Sequence, residues 1–159
     1  MKCLSFLILI CVIFFCGCDK EEPYVPIKKC PDLTRNMDTI NKYIQGTWKW
    51  VENNKYNRLK NEYEYSTPKT RGYNITLILS GDTARFYKNE NIDSTYQFRI
   101  QRELEITGIA TDSLPVLVYY SFYTGLRRSY VPILICKYQL LMHYGGFNDL
   151  LDESIWEKK

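Results

Sequence analysis

The sequence predicts an all-β protein, an antiparallel barrel or sandwich preceded by one short helix. Three observations predict it. Aromatic residues make up 15% of the chain, with 14 tyrosines among 159 residues, and such side chains suit the pleated, half-buried surface of a sheet. Apolar and polar residues alternate with a period of two in short runs. Turn signals built on Gly, Asn, Asp and Pro fall every eight to fifteen residues, the spacing of antiparallel sandwiches and barrels. There is no βαβ alternation and no internal repeat, and 8 Gly and 6 Pro are too few for a fibrous or disordered chain.

The chain opens with Met1-Lys2 and an apolar run, Cys3–Cys16, with LSFLILICVIFF at its centre. This is shorter than the roughly 20 residues of a membrane-spanning helix and reads as a signal peptide, residues 1–17. Its end, Phe15-Cys16-Gly17-Cys18, resembles the bacterial lipobox, with Phe15 where Leu is usual. The resemblance implies that Cys18 is lipidated and becomes the new N-terminus; Cys16 is a poor rival because bulky Phe15 precedes it. The next residues, Asp19-Lys20-Glu21-Glu22, resemble the signal that sends lipoproteins of Bacteroidota to the outer face of the outer membrane. The expected address is therefore the outer membrane, surface-exposed, with a periplasm-facing protein and a merely solvated tether as alternatives. Residues 18–31 carry Pro23, Pro26 and Pro31 and no apolar period, so they form an extended lipidated tether before the folded domain, residues 32–159. Cys3, Cys11 and Cys16 leave with the leader. Cys30 and Cys136 remain, either as a disulfide or as a linker thiol and a buried thiol.

Within the domain, Leu33, Met37, Ile40 and Ile44 form one helical stripe, with Asp32 or Thr34 as the cap and Gly46 as the stop. The period then changes to two. Thr47–Glu52, Tyr73–Leu79, Ala84–Lys88, Thr95–Ile100 and Glu103–Ile106 read as strands, as do Val116–Tyr123, Tyr130–Cys136, Gln139–His143 and Ser154–Lys158. In the cleanest of them Tyr96, Phe98 and Ile100 face inward, with Gln97 and Arg99 outward. The polar stretch Asn53–Arg71 is expected to be an exposed loop.

A short helix followed by Gly46-Thr47-Trp48 at the first strand resembles the lipocalin signature. The wider pattern, GTWKWVE, a polar stretch, YNITLIL, a Gly-Asp turn, ARFYKNEN and a Tyr-x-Phe-x-Ile strand, is similar to the lipocalin-like lipoproteins of Bacteroidota. The resemblance implies an eight-stranded up-and-down barrel. It also implies that Gly46 turns the chain into the barrel, that Trp48 plugs its closed end, and that a basic residue of the last strand packs over that ring. Lys158 or Lys159 stands where Arg is more usual. Asp38-Thr39-Ile40, Asp82-Thr83-Ala84, Asp93-Ser94-Thr95 and Asp112-Ser113-Leu114 resemble the O-glycosylation motif of exported proteins in that phylum.

Function is less legible than fold. With the leader removed, 20 basic residues face 18 acidic ones, which argues against nucleic acid as a partner. One histidine, His143, leaves little for a triad, and no metal spacing, phosphate loop or cofactor motif appears, so neither an enzyme nor a cofactor is expected. Glu103 and Glu105 share a strand face and read as a solvated edge. The interior is the default site for a small, partly apolar ligand. Its expected lining is Tyr73, Ile75, Leu77, Leu79, Phe86, Tyr96, Phe98 and Ile100. The alternative is a filled barrel whose exposed tyrosines, Tyr56, Tyr63 and Tyr65 with Tyr119, Tyr120 and Tyr123 elsewhere, contact a protein or glycan. The membrane is the remaining expected partner, through the lipid on Cys18.

Overall fold

The computed structural model describes residues 24–107, 110–144 and 152–159, of which 105–107 and 110–112 by backbone alone. One helix, α1 (Met37–Tyr43), leads into strands β1 (Gly46–Asn57) and β2 (Glu62–Ser66). A single helical turn, α2 (Pro68–Arg71), precedes β3 (Ile75–Ser80), β4 (Thr83–Lys88), β5 (Asn91–Thr107) and β6 (Ala110–Tyr120). The chain closes with β7 (Arg127–Ile135), β8 (Gln139–His143) and β9 (Glu153–Lys158).

All pairings are antiparallel, in the order β2-β1-β3-β4-β5-β6-β7-β8-β9, and β1 also pairs with β9. The sheet therefore closes into a ring. β3 to β9 follow one another as a meander of hairpins. Left-handed residues make the tight turns: Asn89-Glu90 (φ 47° and 70°) joins β4 to β5, the geometry that matches strand twist. Because β1 pairs with β3 only over Gly46–Lys49 and with β2 over Asn53–Asn57, eight strands make the ring and β2 is a flap on it.

Three local readings are corrected. The helix starts later than expected: Asn36 caps it by accepting from the Thr39 N–H at 3.0 Å. Thr34 is not the cap because its backbone exchanges two hydrogen bonds with Ile135, at 3.0 and 3.1 Å. Asn53–Arg71 is not a loop but the end of β1, all of β2 and α2. Its second strand alternates Glu and Tyr but is exposed along nearly all its length, so no buried apolar face marked it. Thr95–Ile100 and Glu103–Ile106 are one continuous strand, joined to β6 by eleven consecutive residue pairs.

The core lies inside the ring. Leu77 and Leu79, Phe98, Leu117 and Tyr119, and Ile133 and Ile135 alternate inward from their strands and are buried. In β1 the alternation breaks at Val51. Trp50 pairs with Trp156 in the core, then a bulge shifts the register so that Glu52 pairs with Ile155. A one-residue slip moves side chains to the opposite face. Glu52, Asn54 and Tyr56 thereby leave the interior.

The tether residues Tyr24–Cys30 form neither helix nor strand, yet they dock on the outer wall as a strap. The Tyr24 hydroxyl and the Ile27 N–H, the latter at 2.9 Å, both donate to Glu52 Oε2. Lys29 forms an ion pair with Glu153. The Cys30 N–H donates to Gln139 Oε1 at 2.7 Å, and Cys30 is bonded to Cys136. Of the two cysteine readings, the disulfide is the one in the structure. It closes a separation of 106 residues, and a loop of that order disfavours the unfolded chain by about 4–5 kcal/mol.

Glu52 is fully buried under this strap. Burial raises its pKa above the usual 4.5; the Ile27 N–H and the Asn54 side chain oppose the shift, and the Glu153 carboxylate adds to it. The folded chain thus holds this proton more tightly than the unfolded chain, so stability falls as pH rises through 4.5 and the folded value. Glu52→Gln keeps the acceptor for Tyr24 and Ile27 without the charge. Thermal melts from about pH 4 to 8 are expected to show the variant matching the parent at the acid end and exceeding it at neutral pH.

Candidate functional site

The ring has a sealed end and an open one. At the sealed end Trp48 is fully buried and its Nε1–H donates to the Ile44 carbonyl at 2.8 Å. Lys158, directly opposite Trp48 in the β1–β9 register, lies 5.1 Å from that ring and donates from Nζ to the Tyr43 carbonyl at 2.7 Å. Gly46 has φ +132°, and a Cβ there would meet Lys158 Cε at 3.0 Å. Gly46, Trp48 and Lys158 are therefore brought together, with Ile40 and Ile44 of the helical segment packed beneath them. Lys159 instead borders a cleft on the outer wall.

At the open end lies a cavity of about 610 Å³, a size typical of small-molecule sites. Of the eight expected lining residues, Tyr73, Ile75, Phe86 and Tyr96 border it. Leu77, Leu79 and Phe98 belong to the buried interior cluster and partly buried Ile100 packs against it; none of the four borders the cavity. Tyr119, Val131 and Tyr144 complete the walls, and Lys88, Asp93 and Arg128 stand at the rim. Phe86 is the hub of the aromatic wall. Its ring lies 5.7 Å from Tyr119, 6.1 Å from Tyr96 and 6.4 Å from Trp156, the first tilted and the other two edge-on.

Tyr119 corrects the expectation of an exposed tyrosine: it is 4% exposed. Burial, then the neighbouring Tyr144 and Tyr96, push its pKa well above the ordinary value, so it is a neutral phenol. Tyr144 presents part of its ring to solvent, but its hydroxyl is turned inward and donates to Met142 Sδ at 3.2 Å. Burial pushes its pKa up to about 12. The Tyr119 hydroxyl and Trp156 Nε1 have no protein partner. A buried polar group left unmatched costs about 1–3 kcal/mol; of the two residues only Tyr119 borders the cavity, so its hydroxyl is the donor available to an acceptor there. The sequence hid Tyr119 because Val116–Tyr120 is apolar on both faces and shows no phase.

A second cleft, about 770 Å³, lies on the outer wall where β1 leaves β3 and is bordered by Lys49, Trp50, Thr76 and Ile78 among others. Though larger, it lacks the rings gathered on Phe86 and the unmatched Tyr119 hydroxyl. The remaining tyrosines form an outer ladder: Tyr24–Tyr65, Tyr65–Tyr63 and Tyr63–Tyr56 centroids are 4.9, 6.4 and 5.2 Å apart. Tyr120 is half-buried and Tyr123 is fully exposed.

Glu103 is not a solvated edge, since its carboxylate takes Arg127 through two contacts of 2.8 and 2.9 Å; the side chain of Glu105 lies outside the described residues. His143 pairs with Glu153 across β8 and β9 and does not border the cavity. Among the described residues no three His, Cys, Asp or Glu side chains are grouped to hold a metal ion. Cys18, like the leader before it, lies outside the described residues. Compared with protein-family models, curated proteins and solved structures, the chain matches none.

The sealed end makes a direct prediction. Lys158→Met removes one hydrogen bond and one cation–π contact and is expected to lower stability by about 1–2 kcal/mol. Gly46→Ala adds left-handed strain and crowds Lys158, for about 1–3 kcal/mol. Urea midpoints read both.

Proposed function

We propose that this chain is a lipid-anchored envelope protein of lipocalin-like architecture, an eight-stranded up-and-down barrel that binds a small, partly apolar ligand at its open end. The carrying observation is the aromatic-walled interior cavity of about 610 Å³ above a sealed floor. A self-filled barrel of this size has its interior occupied by side chains, whereas here the upper half of the interior is open. No reaction is proposed.

The anchor reading rests on the leader and Cys18, with the acidic residues after it supporting outer-membrane surface display. Cys18 precedes Tyr24 by six residues, a reach of about 20 Å. Tyr24 packs at a tilt against Tyr65, which pairs with Asn54, and Asn54 in turn pairs with Glu153, whose neighbour Asp152 accepts from the Tyr144 N–H at the cavity wall. On this reading the lipid and the cavity mouth share one side of the molecule. One observation favours the second reading, a surface module for a protein or glycan: the outer tyrosine ladder of Tyr24, Tyr65, Tyr63 and Tyr56.

Full-length protein isolated from its own host in detergent and examined by native mass spectrometry is expected to carry one small molecule that leaves on mild activation. Cys18→Ser is expected to abolish labelled palmitate incorporation and release the protein to the soluble fraction. A clean apo mass turns the reading toward the tyrosine ladder, and unchanged labelling of Cys18→Ser removes the anchor.

A further inference from the structure

The charge around the cavity is unevenly distributed. Below the rim its walls carry hydroxyl groups and no carboxylate, amine or guanidinium: Ser94, Ser129, Tyr96 and Tyr119, with Tyr119 held neutral by burial. A charged group moved into such a depth loses its hydration without gaining an opposite charge. At the rim, by contrast, Lys88 extends from β4 and Arg128 from β7. Lys88 Nζ lies 4.3 Å from the Tyr73 ring centroid, held over the aromatic wall.

The neighbouring cations differ in whether a carboxylate holds them. Arg127 is taken by Glu103 and stacks 4.3 Å over Tyr130, and Arg99 lies 5.6 Å over Tyr120. Lys88 and Arg128 form no ion pair among the described residues. Asp93 is the one rim carboxylate, and it accepts from Ser94 Oγ at 3.3 Å. With two cations against one carboxylate, a net positive charge is left over at the mouth of an apolar, ring-lined cavity.

Resting on the ligand-binding reading above, we infer that the cavity selects an anionic amphiphile: a small molecule with an aromatic or conjugated body held against Phe86 and Tyr119, and one acidic group at the mouth between Lys88 and Arg128. The aromatic walls accept a flat body by edge and offset contacts. The rim cations accept a carboxylate, sulfonate or phosphate, with Arg128 able to present two donors to it. The head stays at the mouth because the depth offers it no charge.

Two dyes sharing one aromatic body test this: 1-anilinonaphthalene-8-sulfonate, which is anionic, and N-phenyl-1-naphthylamine, which is neutral. Fluorescence titration of the full chain at low salt is expected to give roughly tenfold or tighter preference for the anionic dye. Lys88→Ala combined with Arg128→Ala is expected to bring the anionic dye down to the affinity of the neutral one. Ser94→Trp, or Ser129→Trp should the first not fold, fills the cavity and is expected to abolish both signals. Equal affinities, or an anionic advantage that survives the double alanine variant, overturn the charge selection while leaving a binding cavity in place. Binding of neither dye, or binding that survives the filling variants, overturns the cavity reading itself.

Discussion

The pairing of β1 with β9 is the constraint on which the rest of the structure depends. It joins the first strand to the last and so closes the eight-stranded ring, while β2 keeps one unpaired edge. Its register decides what meets inside. Trp48 opposite Lys158 forms the sealed end, and Trp50 opposite Trp156 forms the layer above it. The bulge at Val51 then turns Glu52 outward to receive the strap. One strand therefore builds the floor, part of the wall and the dock for the N-terminal segment. The disulfide from Cys30 to Cys136 fixes that segment at its far end.

The interior is built in two unlike halves. Below, Leu77, Leu79, Phe98 and Ile133 fill the space as close-packed side chains. Above, tyrosines and Phe86 line the walls without closing the centre. Stability alone does not account for the upper half. Leu or Phe in place of Tyr119 removes an unmatched hydroxyl, and larger side chains at Ser94 or Ser129 fill open volume. A fold that keeps such features together at one place departs there from local consistency, the kind of departure that functional sites make. The same logic separates the interior cavity from the larger outer cleft, which among the described residues is bordered by no unmatched buried donor.

Legibility of the sequence followed the polarity contrast. Tyr96-Gln97-Phe98-Arg99-Ile100 separates core from solvent at every residue, and all eight interior residues expected from such runs lie in the interior cluster or pack against it. The β1–β2 hairpin was not read as strands because Glu62-Tyr63-Glu64-Tyr65, though it alternates, buries neither face. Tyr119 was not legible for the opposite reason, since its strand is apolar on both faces. The Val51 bulge and the docking of Tyr24–Cys30 depend on partners distant in sequence, Ile155, Gln139 and Cys136. No local pattern encodes those contacts. Lys88 and Arg128 are ordinary surface cations in sequence and gain meaning only from the cavity between them.

The most direct measurement of the central claim is an electron-density map of the protein crystallised as isolated from its own host, with no ligand added. A binding cavity predicts continuous density within contact distance of Phe86 and Tyr119, ending at the mouth near Lys88 and Arg128. An upper interior closed by its own side chains, with Tyr119 and Trp156 bonded to protein groups, contradicts it.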